Sequence, residues 1–220
     1  KILHTPDTHS DWFQIDSRTG LITTSTRVDC ETESEPQLTV LATDSGLQPL
    51  SASTLVIVRI RDVNDNQPIF DQSFYNATVP EDTSVGACVL TVSASDPDCS
   101  ADAGVAYTIA NNLGFQLPAE LEVRRETGEV CVSRPLDYET RRMYDFPVLA
   151  TDPDGLFTTS MVKITIEDVN DNRPHFYPSQ YSISLEERSP SNTEVVVVRA
   201  RDDDAGTLGT VSYSIVSGNE

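Results

Sequence analysis

The chain has 220 residues, 35 Asp and Glu against 15 Lys and Arg, and a formal net charge of −20. That length admits one large domain or about two ordinary ones. A charge of this sign and size repels phosphate backbones and anionic lipid, so nucleic acid and direct membrane contact are excluded as expectations for this segment. No run approaches the roughly 20 apolar residues that span a bilayer, and no signal-peptide pattern follows Lys1, so any targeting or transmembrane segment is expected outside these residues.

In chain order, the local pattern is β throughout. Leu38 to Ala42, Leu55 to Ile60, Val89 to Val92, Val162 to Ile166 and Val195 to Arg199 are short, rich in β-branched residues and in several cases alternating, which predicts strands. Turn signals separate them at Arg18-Thr19-Gly20, Glu126-Thr127-Gly128 and Asp152-Pro153-Asp154-Gly155. No stretch of ten or more residues carries a helical period. About seven strands in roughly 100 residues predict an all-β fold of Greek-key, immunoglobulin-like sandwiches. The Cys…Trp…Cys core of a true immunoglobulin domain is missing, and Trp12, ahead of Phe13-Gln14-Ile15-Asp16, is expected to be an ordinary packing residue.

The sequence also repeats. Asp62-Val63-Asn64-Asp65-Asn66-Gln67-Pro68-Ile69-Phe70 returns as Asp168-Val169-Asn170-Asp171-Asn172-Arg173-Pro174-His175-Phe176, an offset of 106 that also relates Tyr75 to Tyr181, Glu81 to Glu187, Asp96 and Asp98 to Asp202 and Asp204, and Tyr107 to Tyr213. Upstream the offset is 108, matching Thr19-Gly20 to Thr127-Gly128, Asp29 and Glu31 to Asp137 and Glu139, and Ala42-Thr43-Asp44 to Ala150-Thr151-Asp152. The two-residue slip falls in the loop after Asp44, where a surface connection tolerates it. A period of this length is one small domain, so three tandem units are expected: the C-terminal part of one at 1–66, a complete one at 67–172 and the N-terminal part of a third at 173–220.

Asp62, Asn64, Asp65 and Asn66 crowd hard oxygens into five residues ahead of Pro68. Without a cation, like charges at such spacing are unfavourable. Calcium takes six to eight oxygens at about 2.3–2.6 Å in a flexible shell, whereas magnesium demands a tight octahedron, so this donor set suits calcium. An Asp/Asn-rich turn can simply be a solvated loop. Its return at a domain-length period, with other acids in step, favours the metal. Enzymatic readings fail on residue identity. Asp44-Ser45-Gly46 has no second copy to share a proton. His4, His9 and His175 lack ligand spacing, and no G-x-S-x-G elbow occurs. EF-hand loops begun at Asp96, Asp152 or Asp202 would place Tyr107, Lys163 or Tyr213 where Glu is needed.

The D-x-N-D-N-x-P motif at Asp62–Pro68 and Asp168–Pro174, with Leu136-Asp137-Tyr138-Glu139, Ala150-Thr151-Asp152 and Asp96-Pro97-Asp98, resembles the calcium signature of the cadherin superfamily's extracellular repeats, nearer the Fat and Dachsous type or protocadherins than type I cadherins. The resemblance implies about three calcium ions at each junction between successive repeats. At the first, Asp29, Glu31, Asp62, Asn64, Asp65 and Asn66 would meet Asp96, Asp98 and Asp152. At the second, Glu81, Asp137, Glu139, Asp168, Asn170, Asp171 and Asn172 would meet Asp202 and Asp204. Backbone carbonyls of Val63, Asn66, Val169 and Asn172 would add ligands, and Asp44 and Glu187 would serve other junctions. Two departures stand where the family places an Asn five residues before a Tyr, a position that offers its backbone carbonyl: Asp102, still counted as a metal ligand, precedes Tyr107, and Leu208 precedes Tyr213. Val28 of Val28-Asp29-Cys30-Glu31 replaces a usual Leu. The implied function is calcium-dependent cell–cell adhesion or recognition, the ions stiffening the extracellular part of a plasma-membrane protein that meets another cadherin-type ectodomain.

Four cysteines allow three complete pairings, among which the sequence does not choose. Cys30 and Cys99 both neighbour implied ligands of one junction, which admits a bridge there. Cys88 shares parity with Leu90, Val92 and Ala94 and is expected to be a buried free thiol. Asn76-Ala77-Thr78 is the only N-glycosylation sequon, with Asn76 turned outward between Tyr75 and Ala77.

Overall fold

The computed structural model describes residues 1–3, 9–99, 104–110 and 117–218. Apart from one turn of 3-10 helix at Ser10–Trp12, its regular elements are strands. They are β1 (Ile2–Leu3), β2 (Phe13–Ile15), β3 (Ile22–Thr24), β4 (Gln37–Thr43), β5 (Ser51–Ile57), β6 (Ile69–Phe70), β7 (Phe74–Pro80), β8 (Cys88–Thr91), β9 (Ala94–Ser95), β10 (Ala106–Ile109), β11 (Leu121–Val123), β12 (Glu129–Val132), β13 (Met143–Thr151), β14 (Phe157–Glu167), β15 (His175–Phe176) and β16 (Ala200–Arg201). The chain divides into two compact units, Lys1–Asp71 with Ser93–Tyr107 and Leu149–Thr159, and Gln72–Val92 with Thr108–Val148 and Ser160–Glu220.

In the first unit β1, β4 and β5 form one antiparallel sheet, with Ile2 opposite Val40 and Gln37 opposite Ile57. Ile2, Trp12, Phe13 and Leu38 are buried together, flanked by Ile15, Ile22, Val28, Val40, Val56, Val58 and Ile60. Trp12 is thus the packing residue expected of it. The strand predicted to reach Ile60 ends at Ile57. Val58 and Ile60 still donate to the carbonyls of Pro36 and Ser34, but Pro36 has no N–H to return, so the ladder stops. The slip after Asp44 is visible as geometry. The Asp44 amide closes its loop on Leu50 O and the Asp152 amide closes a shorter one on Leu156 O, both at 3.0 Å.

In the second unit, β14 runs parallel to β7, with Met161 opposite Phe74 and Glu167 opposite Pro80. The full ladder order of this sheet is β10-β13-β14-β7, and a second sheet is ordered β11-β12-β8. Tyr144, Phe146, Val148 and Ala150 of β13 and Val162, Ile164 and Ile166 of β14 are buried at alternate positions, as are Tyr75 and Val79 of β7. Asn76 lies between those two and is exposed.

Two sequence expectations fail here. Cys88 is neither buried nor free: it is exposed and disulfide-bonded to the fully buried Cys131. The pairing of β12 with β8 shifts register between Val130 and Cys131, which brings Cys131 opposite Cys88 after Val130 faces Leu90. A β-bulge changes parity in this way, and parity alone cannot reveal it. Val195 to Arg199 is not a strand either. Val195, Val196 and Val197 are exposed, and the one ladder among the described residues beyond 173 joins β15 to β16. At Arg199 the amide donates to the Tyr181 hydroxyl, and the carbonyl accepts from that hydroxyl and from the Tyr177 amide, so side-chain and turn contacts replace a partner strand.

Gly20 and Gly128, one period apart, both take positive φ, +73° and +69°. An added Cβ meets nothing within 4 Å at Gly20 but falls on the Val92 carbonyl at Gly128. Gly20→Ala is therefore expected to cost about 1 kcal/mol of left-handed strain, and Gly128→Ala roughly 2 kcal/mol beyond it by prying β8 from the turn. Urea midpoints measure both, and equal shifts would remove the steric account.

Candidate metal centres

Each compact unit holds one acidic cluster, and the two are built alike. In the first, the Asn66 amide N–H and Nδ2 both donate to Asp98 Oδ1, at 3.3 and 2.8 Å, and Nδ2 also reaches Asp65 Oδ1 at 3.1 Å. The Asp98 amide donates to Asp96 Oδ1 at 3.0 Å, closing a local turn between the two acids. In the second, Asn172 donates to Asp204 Oδ1 at 3.2 and 2.9 Å and to Asp171 Oδ1 at 3.0 Å, and the Asp204 amide donates to Asp202 Oδ1 at 3.0 Å. The offset of 106 thus holds atom by atom.

A tyrosine positions each Asp pair. Tyr107 OH accepts from the Ala94 amide at 2.8 Å and donates to its carbonyl, pinning β9 two residues before Asp96, while its ring tilts against Phe70. Tyr213 does the same to Ala200 ahead of Asp202, beside Phe176. These roles explain why both tyrosines recur in register.

The remaining residues converge as follows. Asp96, Asp98 and Asp152 bring one carboxylate oxygen each within 4.8 Å of one another, as do Glu31, Asp65 and Asp98, and as do Glu31 and Asp62 with the thiols of Cys30 and Cys99. Asp152 is held by the Gly155 and Leu156 amides on Oδ1, at 2.6 and 2.9 Å. In the second unit Glu81, Asp137 and Glu139 converge within the same distance. Buried Glu81 accepts from the Tyr138 and Val169 amides at 2.7 and 2.8 Å, and Asp168 Oδ2 accepts from the Ala205 amide. Val63 and Asn170 are exposed, and the Val169 carbonyl accepts from the Asp171 amide at 2.7 Å, leaving its second lone pair. Asp102 lies outside the described residues.

Sequence reading overlooked the threonines. Thr32 Oγ1 donates to Asp29 at 2.6 Å and Thr140 Oγ1 to Asp137 at 2.8 Å, and in each case this bond leads in holding the Asp carboxyl below its ordinary pKa. The signal was present, because Asp-x-Glu-Thr occurs at both Asp29–Thr32 and Asp137–Thr140. Other groups move the opposite way. A shared hydrogen bond with Asp29 raises Glu31, ahead of the nearby Asp62 charge. Desolvation and then the charges of neighbouring carboxylates raise Glu139 and Asp171. Desolvation, then Cys30 and the nearby carboxylates, push the Cys99 thiol up to about 12. Crowded negative charge produces such shifts, and a bound cation reverses them.

Both oxygens of Asp62, Oδ1 of Asn64 and Asp168, and Oδ2 of Asp96, Asp98, Asp152 and Asp204 are buried without a hydrogen-bond partner. Native interiors rarely strand such atoms without an ion or water to meet them. The donors are hard oxygens held at one edge by backbone amides and free at the other, which fits calcium.

Asp98→Asn is expected to weaken calcium binding at the first cluster on the order of a hundredfold, since it removes a charge and a ligand oxygen. Asp204→Asn should do the same at the second cluster only. Calorimetric titration of both variants measures this, and equal loss at both clusters from either substitution would contradict independent sites.

All-β units carrying matched acidic clusters at a domain-length period define a modular β-repeat protein with oxygen-rich, cation-type sites. The Cadherin domain model matches residues 1–61 and 75–167. The chain belongs to the cadherin family, in which calcium binding is general. It is 56% identical over 225 residues to Protein dachsous of Drosophila melanogaster, covering 100% of this chain and 6% of that protein. It is 42% identical over 215 residues to human Protocadherin-16, covering 97% of this chain and 6% of that one. The chain therefore spans only about a sixteenth of these relatives. Among solved structures, mouse Cadherin-23 EC22-24 matches with a TM-score of 0.72 at 33% identity, over 90% of this chain and 63% of that one. The Protocadherin GammaB4 extracellular domain matches at 0.78 and 29%, over 100% and 36%. No helix among the described residues is long and apolar enough to cross a membrane.

Proposed function

We propose that this segment belongs to the extracellular part of a plasma-membrane adhesion protein, with repeats bounded at 1–66, 67–172 and 173–220 and calcium clusters joining each to the next. The carrying observation is that, among the described residues, eight of the nine buried side-chain oxygens lacking partners belong to the two acidic clusters. About three ions at each junction would add twelve positive charges and bring the formal −20 to about −8. The first junction would use Asp29, Glu31, Asp62, Asn64, Asp65, Asn66, Asp96, Asp98 and Asp152. The second would use Glu81, Asp137, Glu139, Asp168, Asn170, Asp171, Asn172, Asp202 and Asp204. The ions supply the attraction that the carboxylates alone lack, turning each linker from a hinge into a stiff joint. The partner is another cadherin-type ectodomain, and exposed Asn76 is the glycan acceptor.

Scattering in calcium and in chelator tests the joint: the radius of gyration should fall when calcium is withdrawn, and an unchanged value contradicts the stiffening. Beads coated with the full ectodomain test adhesion. Calcium-dependent clustering supports it, and stiffening without clustering leaves a calcium-stabilised receptor module instead.

A further inference from the structure

Cys30 and Cys99 are free thiols 69 residues apart, within 4.8 Å of one another and of oxygens from Glu31 and Asp62. Cys30 is buried and Cys99 is exposed on the residue following Asp98. The Cys99 thiol lies 3.7 Å from Glu31 Oε1. The two cysteines therefore sit on the two loops whose acids meet in the first cluster: Asp29 to Glu31 on one side, Asp96 to Asp98 on the other.

We propose that Cys30 and Cys99 form a second disulfide, a covalent staple that holds these two loops together independently of any cation. The two thiols lie within 4.8 Å of one another, and closing them to the 2.05 Å bond requires about 4.4–6.8 Å between the Cα atoms. The step is a thiol–disulfide exchange with a low-molecular-weight disulfide. One thiolate attacks the reagent, releasing one thiol and leaving a mixed disulfide. The second thiolate then displaces the other half as a second thiol. Both cysteine protons leave, and the electron pair ends on the reduced reagent.

The second cluster serves as an internal control. The counterpart of Cys30, at an offset of 108, is Tyr138, and that of Cys99, at 106, is Ala205. Their backbone amides donate to Glu81 and Asp168, so the same positions hold that cluster by hydrogen bonds alone. The staple makes the first cluster tolerant of calcium withdrawal and leaves the second dependent on it; this consequence rests on the calcium reading above, while the bond itself does not.

The test uses the 220-residue chain equilibrated with oxidised and reduced glutathione, alkylated without reduction, digested and mapped by mass spectrometry. Trypsin alone leaves Cys88 and Cys99 on one peptide, since no Lys or Arg lies between Asp62 and Arg124; a second protease cutting before Asp96 separates them. The expected result is a Cys30–Cys99 linked peptide beside Cys88–Cys131. Alkylation of both Cys30 and Cys99 while Cys88–Cys131 stays intact overturns the proposal, as does a link from either to Cys88 or Cys131. Hydrogen exchange in chelator provides the second measurement. Amides of Asn66 and Asp98 should stay protected in the bridged chain and lose protection in the Cys30→Ser variant, while those of Asn172 and Asp204 lose it in both. A linked peptide with calcium-insensitive exchange at both clusters keeps the bond and removes the calcium reading. A linked peptide with equal loss at both clusters overturns the staple's mechanical role.

Discussion

Withdrawing calcium is expected to lower the melting temperature of this chain sharply, and sodium chloride should restore part of the loss. Seven carboxylates are assigned to each proposed junction, fourteen of the 35 in the chain. In each converging triad they lie within 4.8 Å, where a pair of unit charges repels by roughly 3 kcal/mol at an effective dielectric near 20. Hydrogen bonds to the Asn66, Asn172, Gly155 and Leu156 donors satisfy one oxygen of several groups and leave the others stranded. A ligand at a hundred times its Kd stabilises by about 2.7 kcal/mol per site, so occupied clusters outweigh any single side-chain contact in the molecule. Added salt screens the bare repulsion over about 10 Å at 0.1 M but supplies no ligands, so it recovers only the Coulombic share. Magnesium should recover little, because it keeps its water and demands a tighter shell. A melting temperature indifferent to chelator, or rescued fully by magnesium, would contradict the calcium assignment.

The positions of the acids were legible in the sequence because each cluster is assembled from short local motifs whose spacing survives translation by a domain length. Asp62 to Asn66 and Asp96 to Asp98 recur as Asp168 to Asn172 and Asp202 to Asp204, and the structure brings each set together with the same hydrogen bonds. Strand cores were legible for the same reason, as alternation at Leu38, Val162 and Ile164 is a local property. What stayed hidden depends on pairing. The free oxygen on each carboxylate is decided by which amide happens to reach the other. The end of β5 depends on Pro36 across the ladder, and at the end of Val195 to Arg199 the Arg199 backbone is taken by the Tyr181 hydroxyl and the Tyr177 amide. The departures from the family pattern at Val28 and Leu208 cost nothing visible: Val28 packs beside the first core, and the Leu208 amide donates within its own turn to Ala205.

Removing the Cys88–Cys131 bridge is expected to be the most damaging covalent change in the second unit. The bond closes a segment with a sequence separation of 43, and the chain-entropy model assigns a loop of that size about 4 kcal/mol. For a repeat of about 100 residues, each kcal/mol shifts Tm by roughly 4–8 °C, so the double variant Cys88→Ala, Cys131→Ala should melt some 15–30 °C lower. The bulge amplifies the effect. With the bond in place, β12 is fastened to β8 at the point where the register slips; without it, the slipped pairing rests on the Gly86 amide on Val132 O, the Val132 amide on Ala87 O and the burial of Val130 and Val132. The neighbouring repeats have no replacement, because Thr23 stands where Cys131 would fall and Glu194 where Cys88 would. Trp12, the only tryptophan, lies in the core of the first unit and reports it alone. In chelator, its fluorescence transition should stay in place while the circular-dichroism transition of the variant moves down. A parallel drop in both signals would show that the two units unfold as one, and no drop in either would mean that the register is set by the core of Val130, Val132 and Val92 rather than by the disulfide.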